Sequence, residues 1–411
     1  MFRMINPVQD YAWGSTTAFS ELFGWAESPT PRAEIWMGAH PNAPSEIVED
    51  SGAQLPLDVH LNKHPQQLGS WQRSGSTLPF LLKILAVAAP LSIQVHPDRE
   101  QARSGFAAEE ARGLDPQAPE RNYVDANHKP ELIVAVTSLS ALCGFRDPRE
   151  TLNDLAALQR IVAEQDPSGN RDASHGLETL SRHLRNGDLH AALQASLQDC
   201  ADELSDAAKQ LAATDLRAQD TGLTPQCLDT VERIAESFPG DPGLFVALML
   251  NRRDLEPGQA LFLPSGSLHA YLDGVGVEIM ANSDNVLRGG LTSKHVDVPE
   301  LLRVAECSVV DLPLLQPSTP LPHHRLYTAA AEEFALRRID FVDSGLSHHM
   351  CDPAPAIAVC TAGTVTAGEI TLGAGESMFI PAAAPTEFTG AAAQLFIATV
   401  SSAPEQQEVA A

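Results

Sequence analysis

The sequence predicts a mainly β protein interrupted by an inserted helical domain, and three features of the 411-residue chain carry that reading. Up to about residue 146 it is rich in Pro, Gly and short apolar runs, which read as short strands joined by turns. Between Asp147 and about Gly240, leucines such as Leu152, Leu155, Leu158, Leu177, Leu180, Leu184, Leu204 and Leu211 follow helical spacing instead. After Gly240 the strand texture returns and runs to about residue 400, with one pattern repeated in it. Five residues separate Gly258 from Pro264, and five separate Gly375 from Pro381. A glycine for the turn, a short apolar strand and a proline that ends it make the unit of a small β-barrel, so two barrel halves or two barrels are expected.

Residues 1–146 with 241–315 are therefore read as a central barrel, 147–240 as the helical insert, 316–400 as a C-terminal barrel and 401–411 as a loose tail. Inside the insert, Asp147-Pro148-Arg149-Glu150 and Thr224-Pro225 each supply a capping residue followed by a proline at the first helical position. About four helices fit that length. Their leucine stripes are read as ordinary core packing.

Lys and Arg total 27 against 53 Asp and Glu, a formal net charge of −26. Such a field repels phosphate backbones and anionic lipid, which excludes nucleic acid and membrane surfaces as expected partners. The start of the chain has no apolar run behind a basic segment, so a cytoplasmic protein is expected. The longest apolar stretch, residues 78–93, contains Lys83 and Pro90 and is too short to span a bilayer. The six cysteines include no Cys-x-x-Cys pair, which points to reduced thiols rather than a thiolate zinc site or a disulfide scaffold.

Several residues have the chemistry of a site. With residues 91–96 as a strand, Leu91, Ile93 and Val95 share one face, and Ser92, Gln94 and His96 share the other. Gln-x-His alone is a weak metal signal that needs partners. Asn127-His128-Lys129-Pro130-Glu131 sets a carboxylate at the mouth of an apolar run. His269 follows a tight Gly/Pro turn at what would be a barrel rim. Arg288 precedes two glycines, which let backbone close in on an anion. Lysines number only five, and Lys83, Lys129 and Lys294 lie in or beside these segments, a bias toward a local anion site.

Taken together, Tyr11-Ala12-Trp13-Gly14, Ala33-Glu34-Ile35-Trp36-Met37-Gly38, residues 91–98, His128-Lys129-Pro130-Glu131, Leu268-His269-Ala270-Tyr271 and the run from Glu278 to Lys294 resemble the type I phosphomannose isomerases, zinc enzymes of the cupin superfamily. The resemblance implies that Gln94, His96, Glu131 and His269 are the zinc ligands and that Arg288 is the catalytic arginine. It also implies cupin (jelly-roll) barrels with an inserted helical domain. The activity implied is aldose–ketose isomerisation of mannose 6-phosphate and fructose 6-phosphate through a cis-enediol(ate). The helical insert and the region beyond about residue 300 match only loosely.

A mixed N/O donor set of this kind also accepts other divalent metals. Lys129, Glu278 and His128 are the candidates for proton transfer, left unranked, while Ser92, Lys129 and Lys294 are those for substrate binding. A monomer acting on a small sugar phosphate is expected. Two other readings stay open at this point: a cupin that binds a sugar phosphate without turnover, and a metal-dependent cupin oxygenase. The stretch after Pro381 lacks the histidine that follows Pro264, which predicts a metal-free C-terminal barrel. Metal analysis checks this, and a second stoichiometric ion that survives loss of His269 would count against it.

Overall fold

The computed structural model describes residues 1–401 except 50, 75–76, 166–170, 219 and 344; the tail expected at 401–411 lies almost wholly outside the described residues. Two ten-stranded sheets carry the β structure. One is built on the strands Glu34–Met37, Phe80–Val87, Glu131–Ala135, Leu139–Phe145 and the long His269–Ala281. The other centres on Ala335–Phe341, Ala356–Ala367 and Thr386–Thr399. Both Gly-to-Pro repeats form strands as read, Ala260–Leu263 and Ser377–Ile380. Gly258 and Gly375 hold φ of 88° and 84°, a left-handed turn that suits glycine.

Phe80–Val87 is buried along its whole length because both its faces are covered. Leu81, Lys83, Leu85 and Val87 point to one side. Phe80, Leu82, Ile84 and Ala86 point to the other, where they pack with Tyr327, Leu336 and Phe396 of the second sheet. The N-terminal strand Phe2–Ile5 pairs with Ser377–Ile380 and Glu46–Val48. That pairing crosses the boundary expected from the sequence, since residues before 146 complete the sheet of the C-terminal barrel. Local pattern cannot signal a partner more than 370 residues away.

The insert contains the helices Pro148–Gln165, Arg171–Arg185, Leu189–Gln194, Ala201–Ala212 and Pro225–Ser237. Thr224 caps the last of these, its hydroxyl accepting from the Cys227 amide, with Pro225 next in line. One long helix lies where the sequence was read as helix-poor. Arg99–Ala111 opens on a capping box between Asp98 and Gln101, and few buried apolar residues mark its face, which is why periodicity misses it. No described helix is long and apolar enough to cross a membrane.

The packing of the insert bears directly on the candidate ligands. Its leucines share one core with Ile93, Val95, Leu268, Ala270, Leu272 and Leu287. These residues alternate with Gln94, His96, His269 and Arg288, so burying one face of each segment presents the other to the central barrel. Leu91 departs from the expected face and instead lines the barrel cavity beside Ser92 and Gln94, because regular strand begins only at Gln94.

Candidate metal centre

Backbone pairing brings the site together: Gln94 lies opposite both His269 and Arg288. Glu131 is the first residue of its strand, opposite Leu263 and Met280. His96 Nε2 lies 3.3 Å from Glu131 Oε1, and His269 Nε2 lies 3.2 Å from Glu131 Oε2. The ligating atoms of these three buried residues all fall within 4.8 Å of one another, the one such cluster found among the described residues. Gln94 lines the same cavity; its amide nitrogen donates to Ser92 Oγ at 3.3 Å, so the amide oxygen is the atom left to bind a cation.

The donor set fits a divalent ion. His96 Nδ1 donates to the Asn285 carbonyl at 2.7 Å and His269 Nδ1 to the Ser267 carbonyl at 3.0 Å. A carbonyl only accepts, so each ring carries its proton on Nδ1 and turns the Nε2 lone pair toward Glu131. Burial and the nearby Lys129 push the His96 imidazole down to about 4, so it is no counter-charge to the carboxylate at neutral pH. Its Nε2 is buried without a hydrogen-bond partner. Two lone pairs facing an anion in a dry site repel it unless a cation stands between them.

Around this cluster lies a cavity of about 90 Å³ lined by Lys83, Lys129, Tyr271 and Glu278 among others. Trp36, Lys83 and Glu278 form a row across three strands. Lys83 Nζ sits 3.4 Å from Glu34 and 3.7 Å from Glu278, and 5.0 Å from the centre of the Trp36 ring. Burial alone would lower the Lys83 ammonium, but Glu34 and Glu278 outweigh it and hold it above the ordinary lysine value. Burial and the Glu131 charge push Glu278 up to about 7. Tyr271 donates to Glu278 at 2.8 Å, and Lys129 lies 3.0 Å from Glu131. Burial opposes ionisation of Glu131, yet the Lys129 charge holds it well below the usual carboxylate range.

Removing Lys83 would strand two buried carboxylates, so Lys83→Met is expected to destabilise the protein by about 3–5 kcal/mol, the usual cost of breaking a buried ion pair on one side. Urea unfolding measures it; a midpoint equal to wild type would contradict the assignment.

Arg288 is half-buried, and burial lowers its pKa. Lys294 is an exposed neighbour, lowered by burial and by Arg288. Neither has a carboxylate within 4.0 Å among the described residues. The turn holding Arg288 is pinned by the bonds Gly289 N to Ile93 O and Ile93 N to Gly290 O. Gly290 has φ of 114°, and a Cβ there would meet Gly243 Cα at 2.6 Å.

His128 is not brought into the metal cavity. It lines a separate cavity of about 660 Å³, where its Nε2 lies 2.7 Å from Glu333 and 3.0 Å from Arg99. The sequence reading passed over Glu34 and Tyr271 as site residues. The signal was present: Tyr271 stands two residues beyond His269 and Glu34 two before Trp36, the same alternation that linked Gln94 with His96.

Residues 1–148 match the family profile described as the catalytic domain of phosphomannose isomerase type I. The mannose-6-phosphate isomerase of Escherichia coli is 37% identical over 400 residues, covering 93% of this chain and 95% of that protein. The enzyme of the same name from Salmonella typhimurium is 42% identical over 306 residues, 74% of each chain. Among solved structures, a holo, zinc-bound mannose 6-phosphate isomerase superposes with a TM-score of 0.83 at 34% identity, covering 98% of this chain and 99% of that one.

Proposed function

Since the chain belongs to the type I phosphomannose isomerases, zinc enzymes that interconvert mannose 6-phosphate and fructose 6-phosphate, we propose that Gln94, His96, Glu131 and His269 hold its zinc and that the cavity beside them is where the proton moves. The observation that carries this is the pair of Nε2 lone pairs aimed at one buried carboxylate. Bound there by two imidazoles, one carboxylate and one amide oxygen, zinc keeps net positive charge and acts as a Lewis acid toward substrate oxygens.

The remaining residues divide the work. Isomerisation moves a proton between C2 and C1 of the sugar through a cis-enediol(ate), so the site needs a base of suitable strength and a partner for the developing negative charge. Glu278, pushed up to about 7 and fixed by Tyr271 and Lys83, takes and returns the proton. Lys129 places a positive charge in the same cavity. Arg288, with no carboxylate partner among the described residues, stabilises the anionic transition state, and Lys294 and Ser92 complete the binding of substrate. The central site spans the strands of residues 1–146 and 241–315, and the helical insert of 147–240 braces it from behind.

The non-catalytic binder and the oxygenase left open by the residues alone give way, because relatives matching nearly the whole chain are isomerases. A coupled assay converting mannose 6-phosphate to fructose 6-phosphate, run with and without chelator, tests the reading. Turnover that is lost on chelation and restored by zinc is expected; turnover indifferent to chelator would refute the metal assignment.

A further inference from the structure

The C-terminal barrel contains a polar cluster for which the isomerisation has no use. Its interior is largely apolar, with Ile339, Phe388 and Ile397 in one cluster. Register places three basic side chains on that same inner face: His324 opposite Ile339, Arg337 opposite Ile397 and His348 opposite Phe388. His324 and His348 are 8% and 7% exposed, and their rings meet edge to face with centroids 4.8 Å apart. Arg337 Nη1 lies 3.3 Å from His348 Nε2, the one hydrogen bond of this guanidinium among the described residues. Its Nε is buried without an acceptor, and no described carboxylate lies within 4.0 Å of it. Asp352 acts on it only from farther away.

We propose that Arg337, His348 and His324 form a binding site for a small oxyanion of the phosphate type at the mouth of the C-terminal barrel. A guanidinium turned into an apolar barrel without a counter-ion leaves charge and N–H donors uncompensated, and its planar fork matches the oxygens of a phosphate. Two imidazoles would by themselves also suit a metal, but Arg337 occupies the Nε2 lone pair of His348 and its charge repels a cation. Burial and Arg337 hold both imidazoles largely neutral, so the guanidinium supplies the charge. Arg337 itself is only half-buried, and His324 borders a neighbouring cleft of about 630 Å³ that Arg337 and His348 do not line. Asp340, the acid in that cleft, is engaged by Arg325 and Arg338 at 2.8 and 2.9 Å.

The test uses zinc-loaded, full-length enzyme and inorganic phosphate. Equilibrium dialysis with labelled phosphate is expected to find one saturable site that persists in Arg288→Ala and is weakened at least about tenfold in Arg337→Met, on the scale of losing a charge-assisted bond. Isomerase kcat and KM should stay within about twofold of wild type in Arg337→Met, which separates this site from the catalytic one. Equal phosphate binding by wild type and Arg337→Met would overturn the proposal. Should that variant fold poorly, the wild-type protein still decides: ring resonances of His324 and His348 must move as phosphate is added. A response to fructose 6-phosphate alone would identify the sugar ester as the source of the oxyanion, and no response to either compound would refute the site.

Discussion

His269→Ala is expected to abolish isomerase activity and remove most of the bound zinc. The substitution deletes one of four proposed donors, and loss of even an outer partner of a metal ligand costs about 10–100-fold in affinity, so a lost ligand costs more. The fold should survive. Leu268, Ala270 and Leu272 remain buried in the core shared with the insert, and the alanine keeps the strand pairing with Gln94 and Cys143. Removing one of the two lone pairs that face Glu131 also relieves repulsion in the zinc-free protein. Metal analysis alongside circular dichroism separates the possibilities: a folded variant with full zinc occupancy would remove His269 from the ligand set.

Arg288→Ala is expected to keep zinc and fold but lose kcat by at least about a hundredfold, the scale set by removing one transition-state donor. The protein is strongly acidic, with a net charge of −26, yet salt screens that field beyond roughly 8–10 Å, so cations within a cleft dominate what a sugar phosphate meets. Arg288 is suited to this because no described carboxylate neutralises it and the turn that holds it is pinned to Ile93 through Gly289 and Gly290. A variant with kcat intact and only KM raised would show that Arg288 binds ground and transition states alike. Stabilisation of the enediolate would then pass to Lys129.

Much of this architecture is legible in the sequence. The change from turn-rich to leucine-periodic to turn-rich sequence marks the helical insert, and the Thr224-Pro225 cap and both Gly-to-Pro strands lie where local chemistry places them. Gln94 and His96 share a face by simple alternation. Their union with Glu131 and His269 came from family resemblance, since no spacing rule joins positions 96, 131 and 269.

Sequence by itself determined the features governed by neighbours along the chain: capping, turn formation, the period of apolar residues and the overall acidity. Tertiary structure alone decided which polar residues meet. It set Lys83 between Glu34 and Glu278, turned His128 out of the metal cavity toward Glu333, joined the N-terminal strand to the C-terminal barrel and put Arg337 beside His348 on an inner face. The reason is that periodicity reports only whether a face is buried, whereas charge pairing depends on strand register between segments far apart in sequence. In a dry interior, that register determines whether a buried charge is matched or left for a ligand to match.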